Sequence, residues 1–325
     1  MNIPQEEILE PALPIVDCHH HLWDEHPFGL GGRYNSADLL ADVVSGHRIV
    51  ATVYVEAHSH WSPSGPLALR PVGETIYADS VAREILPTSE EDASICAGIV
   101  AHADMNMGAG VEEVLAAHLA ASRHVRGIRH VVMPNVLAGD FVDSKRSLAS
   151  DVFREGVRRL PRFGLTFDIC IYHYQLGDTI DFVRACPDVS FALNHIGCPV
   201  GIGPYQGRRE EVFKDWAAHL ATLAREPNVV VKLGGMNMFT SGFGWNDRPT
   251  PATSDELVQA TGRYFLHAID CFGPKRCLFE SNFPTDQKAS SYATLWNAFK
   301  KIARGCSSSE KVAMFHDNAR SFYRL

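Results

Sequence analysis

Short runs dominated by Val, Ile and other apolar residues recur along the chain, with polar residues gathered at their ends. Eight stand out, over residues 15–21, 48–57, 95–105, 125–132, 165–172, 189–196, 228–235 and 276–283. Runs apolar at successive rather than alternate positions bury both faces, as strands of a helix-covered parallel sheet do. Between them, 36–45, 111–123, 150–160, 210–225 and 255–272 carry apolar residues at three- and four-residue spacing, the first behind a Ser36 cap. Eight strand–helix units in succession predict an α/β fold of the (β/α)8 TIM-barrel type, read as a single domain over 1–325. The alternative, an open doubly wound sheet, lacks its Gly-rich phosphate loop here. Three connections exceed what a βα unit needs: 58–73 after the second strand, 198–209 after the sixth and 236–253 after the seventh. All follow strand C-terminal ends, where barrel enzymes place their chemistry.

Composition narrows the class. A formal net charge of −8 over 325 residues, with no basic run, argues against nucleic-acid binding. No apolar stretch approaches the roughly 20 residues that cross a bilayer, so no membrane role is expected. The opening MNIPQEEILE is acidic and lacks an apolar core, so no signal peptide is read and a cytoplasmic location is expected. The 8 cysteines form no CxxC pair, in keeping with a reduced protein. The expected partner is a small-molecule substrate; a homo-oligomer is compatible with the composition, which says nothing further about assembly.

The candidate chemistry lies at the strand ends. In IVDCHHHLWD, alternation puts His19 and His21 on one face, His20 on the other, and Asp17 one layer below the outer two, placed to orient a ligand. His173 in IYHYQL and His195 in FALNHIG close the fifth and sixth strands, so four imidazoles meet at one barrel mouth, a coherent set for a divalent ion. In LFESNFPTDQ, Glu280 and Asn282 share a face, and Asp286 follows in the loop. Glu56 ends the second strand, with His58 and His60 just beyond it. Arg129 and Arg248 could grip an anionic substrate, while Trp245, with His58, could line the substrate side. Lys232 lies on the seventh strand and the fourth carries no lysine, so no bridging carbamylated lysine is available there.

The ordered set VDCHHHLWD, NHIG and ESNFP resembles the amidohydrolase superfamily, and within it the lactonase-type, 2-pyrone-4,6-dicarboxylate lactonase-like branch. The resemblance covers essentially the whole chain. It implies that His19 and His21 are the strand-one metal pair, His195 the strand-six histidine and His173 the strand-five one. Asn282 falls where the family usually has an aspartate that serves as base and ligand, a departure that leaves both functions to be reassigned. It implies a hydrolase opening a lactone, ester or amide bond of a small carboxylated molecule by attack of an activated water. One divalent ion, zinc being the expected one, would be held by His19, His21 and His173 or His195, with Glu280, Glu56 or Asp286 as base. A metal-free version would polarise the carbonyl through the histidines and Arg129. The alternatives are non-oxidative decarboxylation of an aromatic or unsaturated acid, and a degenerate barrel that only binds a ligand.

Overall fold

The computed structural model describes residues 6–25, 32–89, 92–142 and 147–325. Strands β1 (Ile15–His20), β2 (Ile49–Val55), β3 (Ser94–His102), β4 (Val125–Arg129), β5 (Thr166–Ile169), β6 (Phe191–Leu193), β7 (Val229–Leu233) and β8 (Cys277–Phe279) run parallel, in the order β1 to β8. The ring closes just past the end of β8. There the Asn282 amide donates to the His19 carbonyl (2.9 Å) and the His21 amide to the Phe283 carbonyl (2.8 Å). Around this (β/α)8 barrel lie α1 (Ser36–Val43), α2 (Val72–Glu84), α3 (Val111–Ala121), α4 (Asp151–Val157), α5 (Leu176–Ala185), α6 (Arg209–Leu223), α7 (Ser254–Phe272) and α8 (Tyr292–Ile302). Two short helices follow, α9 (Ser308–Val312) and α10 (Asn318–Tyr323). The loops after β2, β6 and β7 cover 56–71, 194–208 and 234–253, and the connection after β4 runs over 130–150.

A register shift shapes the first strand. Asp17 pairs with Thr52 and His20 with Tyr54, so three steps of β1 span two of β2. This extra residue reverses the alternation below the histidines. Asp17 is therefore not beneath His19 and His21 as alternation predicts. Its buried carboxylate faces α8 and β8, accepting from the Ser281 amide (2.9 Å), the Ser281 hydroxyl (2.6 Å) and the Tyr292 hydroxyl (2.9 Å). Burial pushes Asp17 up to about 6 against those donors.

The main apolar core lies between strands and helices, where residues such as Phe153, Phe167, Phe182 and Trp216 are buried. A second cluster inside the barrel joins Val16, Cys18, Val53, Val100 and Leu278 to Ala319 and Tyr323 of α10, which closes the floor. Above it sits a polar layer. Lys232, fully buried, lies 2.8 Å from Asp168 Oδ2 and donates to the Cys18 carbonyl at 2.9 Å. Asp168 also accepts from the Tyr323 hydroxyl (3.0 Å) and the Asn194 amide (2.8 Å). Lys232 thus belongs to the barrel's middle, not to its mouth. All eight cysteines are free, and among the described residues no helix is long and apolar enough to cross a membrane.

Candidate active site

His19 and His21 point into the barrel with their Nε2 atoms 3.2 Å apart. The His21 Nδ1 lies 2.7 Å from the Val55 carbonyl, which can only accept, so the proton sits on Nδ1 and Nε2 keeps its lone pair. His19 Nδ1 lies 2.7 Å from Glu280 Oε2, and its Nε2 can accept from the Arg129 guanidinium, which only donates, so its proton sits on Nδ1 as well. Burial, reinforced by Lys232 for His19 and by Arg129 for His21, drives both pKa values well below the ordinary histidine value. Two neutral imidazoles then face each other lone pair to lone pair, an arrangement that calls for a cation between them. The Arg129 guanidinium, 3.3 Å from His19 Nε2, answers that only from one side. The donor set therefore fits a divalent ion, with the Nδ1 partners fixing each ring's tautomer.

His195 joins this pair. Its backbone, and that of Ile196, is left-handed (φ 54° and 49°), a tight turn that brings the ring back over the barrel. The ring centroid lies 4.6 Å from that of His19. One Glu280 oxygen accepts from both the His195 amide (2.9 Å) and its Nδ1 (2.7 Å). Burial alone would raise the Glu280 pKa, but His195 and Lys232 hold it below the ordinary value. One ligand atom each of His19, His195 and Glu280 lies within 4.8 Å of the others. Two glycines make room for this. A Cβ on Gly234 would meet Glu280 Cγ at 2.4 Å, and one on Gly235 (φ +63°) would meet His195 Nδ1 at 2.3 Å. Gly235→Ala is expected to displace His195 and cut turnover at least about tenfold, with about 1–3 kcal/mol lost by urea unfolding; wild-type kinetics in this variant would refute the packing argument.

His173 is not brought to the cluster. Inward positions on β5 run from Asp168 through Cys170 to Tyr172, so His173 has the opposite parity. Its Nδ1 accepts from the Val200 amide (3.2 Å), and its ring packs edge-on against Tyr205. Arg129, predicted to hold substrate, is buried and committed to Glu56: its Nε donates to Oε1 at 2.7 Å and its Nη2 to the Glu56 carbonyl. Burial would raise Glu56, but Arg129, with His58 and His102, brings it well below the usual carboxylate range. Arg248 pairs with Glu256 at the start of α7 (2.9 Å) and lies over Trp245, which packs beside Phe243; neither Arg248 nor Trp245 lines the cavity at the mouth. His58 is half-buried, 3.6 Å from Glu56 Oε2.

Asn282 (φ 56°) gives its amide to Asp286 Oδ1 at 2.9 Å, and the Asn237 backbone amide donates to Asp286 Oδ2 at 3.1 Å. Burial outweighs these donors and raises Asp286 to about 7. Its neighbours Thr285 and Gln287 line a cavity of about 460 Å³ at the mouth, together with Trp23, Met133, Tyr172, Phe239 and Lys288. Trp23, one wall of the cavity, stacks on His21 with centroids 5.8 Å apart, so the cavity adjoins the imidazole pair. Lys288 is the one cation among the described lining residues. Neither Trp23, inside the IVDCHHHLWD segment, nor Lys288, just after LFESNFPTDQ, stands out in the sequence as a substrate-side residue.

Comparison with known proteins identifies the family and matches the fold. The amidohydrolase family model matches residues 16–325. The chain is 32% identical over 332 residues to the uncharacterized protein y4mH of Sinorhizobium fredii, covering 96% of this chain and 99% of that one. It is 24% identical over 318 residues to L-fucono-1,5-lactonase of Burkholderia multivorans, covering 95% and 96%. Among solved structures, an amidohydrolase of Burkholderia multivorans with bound zinc superposes with a TM-score of 0.74 at 23% identity, covering 96% of this chain and 99% of that one. This chain belongs to the amidohydrolase family of hydrolases.

Proposed function

We propose that the protein hydrolyses a lactone of a small carboxylated molecule, with esters and amides as less favoured substrates. The observation that carries this reading is the pair of buried, neutral imidazoles, His19 and His21, facing each other 3.2 Å apart and joined through Trp23 to a cavity of small-molecule size. His19, His21 and His195 would hold one divalent ion, zinc being the favoured one, with Glu280 steadying the first and third rings. When bound, such an ion supplies Lewis-acid activation of the carbonyl and lowers the pKa of water.

The chain's own residues do the rest. Asp286 accepts the proton from the attacking water, its pKa of about 7 suiting a base at neutral pH. Asn282, bonded to that carboxylate, orients it and takes over the family aspartate's position without its basicity. Lys288 faces the substrate carboxylate, while Trp23, Tyr172 and Phe239 pack its apolar body and exclude water. The lactonase relative supports the choice of bond, and the full coverage of both chains supports carrying the barrel's chemistry across.

A panel of five- and six-membered lactones, with and without a carboxylate, tests the reading in ¹⁸O-labelled water. Label entering a new carboxylate is the expected result. Release of carbon dioxide without label uptake would replace it with decarboxylation, and no turnover unless Asn282→Asp restores it would favour a binding barrel. Removal of bound metal by chelation is expected to lower lactone turnover at least about 100-fold, with zinc restoring it; full activity in metal-free protein would overturn the zinc assignment.

A further inference from the structure

A second set of metal donors stands at the neighbouring ends of β2 and β3. One ligand atom each of Glu56, His58 and His102 lies within 4.8 Å of the other two. Glu56 is fully buried, with Oε1 occupied by Arg129, yet Oε2 has no hydrogen-bond partner. His102 is 8% exposed and its Nδ1 likewise has none. Leaving a carboxylate oxygen and a ring nitrogen buried and unpaired is costly, and a bound cation removes that cost. His58 adopts a left-handed backbone (φ 57°), which returns its Nε2 to within 3.6 Å of Glu56 Oε2. Donors on a tetrahedral zinc ion sit about 3.3 Å apart, so the His58–Glu56 pair needs little closure. The His58 and His102 rings lie 4.9 Å apart, and Trp61 packs against both at 5.1 and 5.4 Å, covering the group.

We propose that Glu56, His58 and His102 form a second divalent transition-metal site, independent of the imidazole cluster on β1 and β6 and of the hydrolytic reading above. Two imidazoles and a carboxylate favour a zinc-class ion over magnesium or calcium, which prefer oxygen ligands. The His58 side chain is 34% exposed, leaving a route for water to a fourth position. Arg129 separates the two sites: its Nε holds Glu56 and its Nη1 faces His19, so the guanidinium charge lies between the two cations. An ion here ties the first residues of the β2 loop to β3 and fixes the two rings that Trp61 packs against.

The test uses the full chain, stripped with a chelator and titrated with Zn²⁺ or Co²⁺. Stoichiometry is read by native mass spectrometry and calorimetry, and coordination by the Co²⁺ visible spectrum. Two ions are expected in the wild type. His58→Gln, at a half-exposed position that folding tolerates, and His102→Gln should each weaken one site by roughly 100-fold and leave the other; His21→Ala should do the reverse. Unchanged stoichiometry and affinity in both Gln variants would overturn the proposal, as would a single ion lost only in His21→Ala. One ion lost only in the Gln variants would uphold it even if the β1 cluster proved empty, so the two sites fail separately. Circular dichroism confirms that each variant is folded.

Discussion

Asp286→Asn is expected to lower kcat/KM by about 10²–10⁴-fold and to abolish the rise of activity with pH around neutrality. The wild-type profile should climb through about pH 7, because burial keeps the carboxyl protonated, and so unable to accept a proton, below that value. The same shift has a cost in stability. A carboxyl whose folded pKa lies near 7, against 3.8 in an exposed chain, contributes its full stability below the unfolded value and loses it as pH rises through the folded one. For a shift of this size the loss is on the order of 4 kcal/mol. The amide that replaces the carboxyl does not ionise, so between about pH 4 and 8 the variant should lose less unfolding free energy than the wild type. Urea unfolding across that range, together with a pH–rate profile, checks both halves. An inactive variant with the wild-type pH dependence of stability would mean that Asp286 is not the group titrating near neutrality.

Lys232→Met should be the most damaging single change to the fold, costing about 3–5 kcal/mol by urea unfolding. The ammonium is fully buried, 2.8 Å from Asp168 and 3.8 Å from Glu280, so its removal strands two carboxylates in the barrel's middle. Asp168 keeps the Tyr323 and Asn194 donors, which limits the damage on that side. Glu280 then answers only to His19 and His195, and a shift in its charge would reach the active site through those rings. Adding Asp168→Asn to Lys232→Met should recover part of the loss, and that non-additivity separates a charge effect from a packing one. A loss below about 1 kcal/mol in the single variant would show that the layer is not held by this ion pair.

The barrel was legible because its strands are short apolar blocks, as a covered parallel sheet requires, recurring eight times with helical patterns between many of them. Helix α2 was not, since its buried side includes Glu74, Thr75 and Asp79 among the apolar residues, which erases the helical period. Glu74 is there to anchor the loop above, accepting from the Tyr54 hydroxyl and the Ala57 amide. At the site, the HxH pair could be placed by parity, while His195 could be placed only by its position at the end of the sixth strand, since a left-handed turn rather than alternation returns its ring to the barrel. Asp17 was misplaced because a bulge has no reliable sequence signature, and His173 because β5 ends at Ile169 and the chain keeps its inward parity only to Tyr172. Arg129 and Arg248 carry the charge for substrate binding, but which carboxylate claims an arginine is settled by tertiary packing. The gap at Asn282 was visible; that the carboxylate four residues on bonds to it was not.

The seam between β8 and β1 gives the molecule an unusual economy. The two backbone bonds there involve Asn282 and Phe283 on one side and His19 and His21 on the other, while Asp17 supplies a carboxylate where the ladder lacks a carbonyl. The hoop is fastened by the backbone of His19 and His21, the same residues whose side chains are proposed to hold the ion. On the proposed function, ligation and ring integrity would be linked equilibria: an ion that draws the imidazoles together would also tighten the clasp, and breathing at the clasp would loosen the ligand geometry.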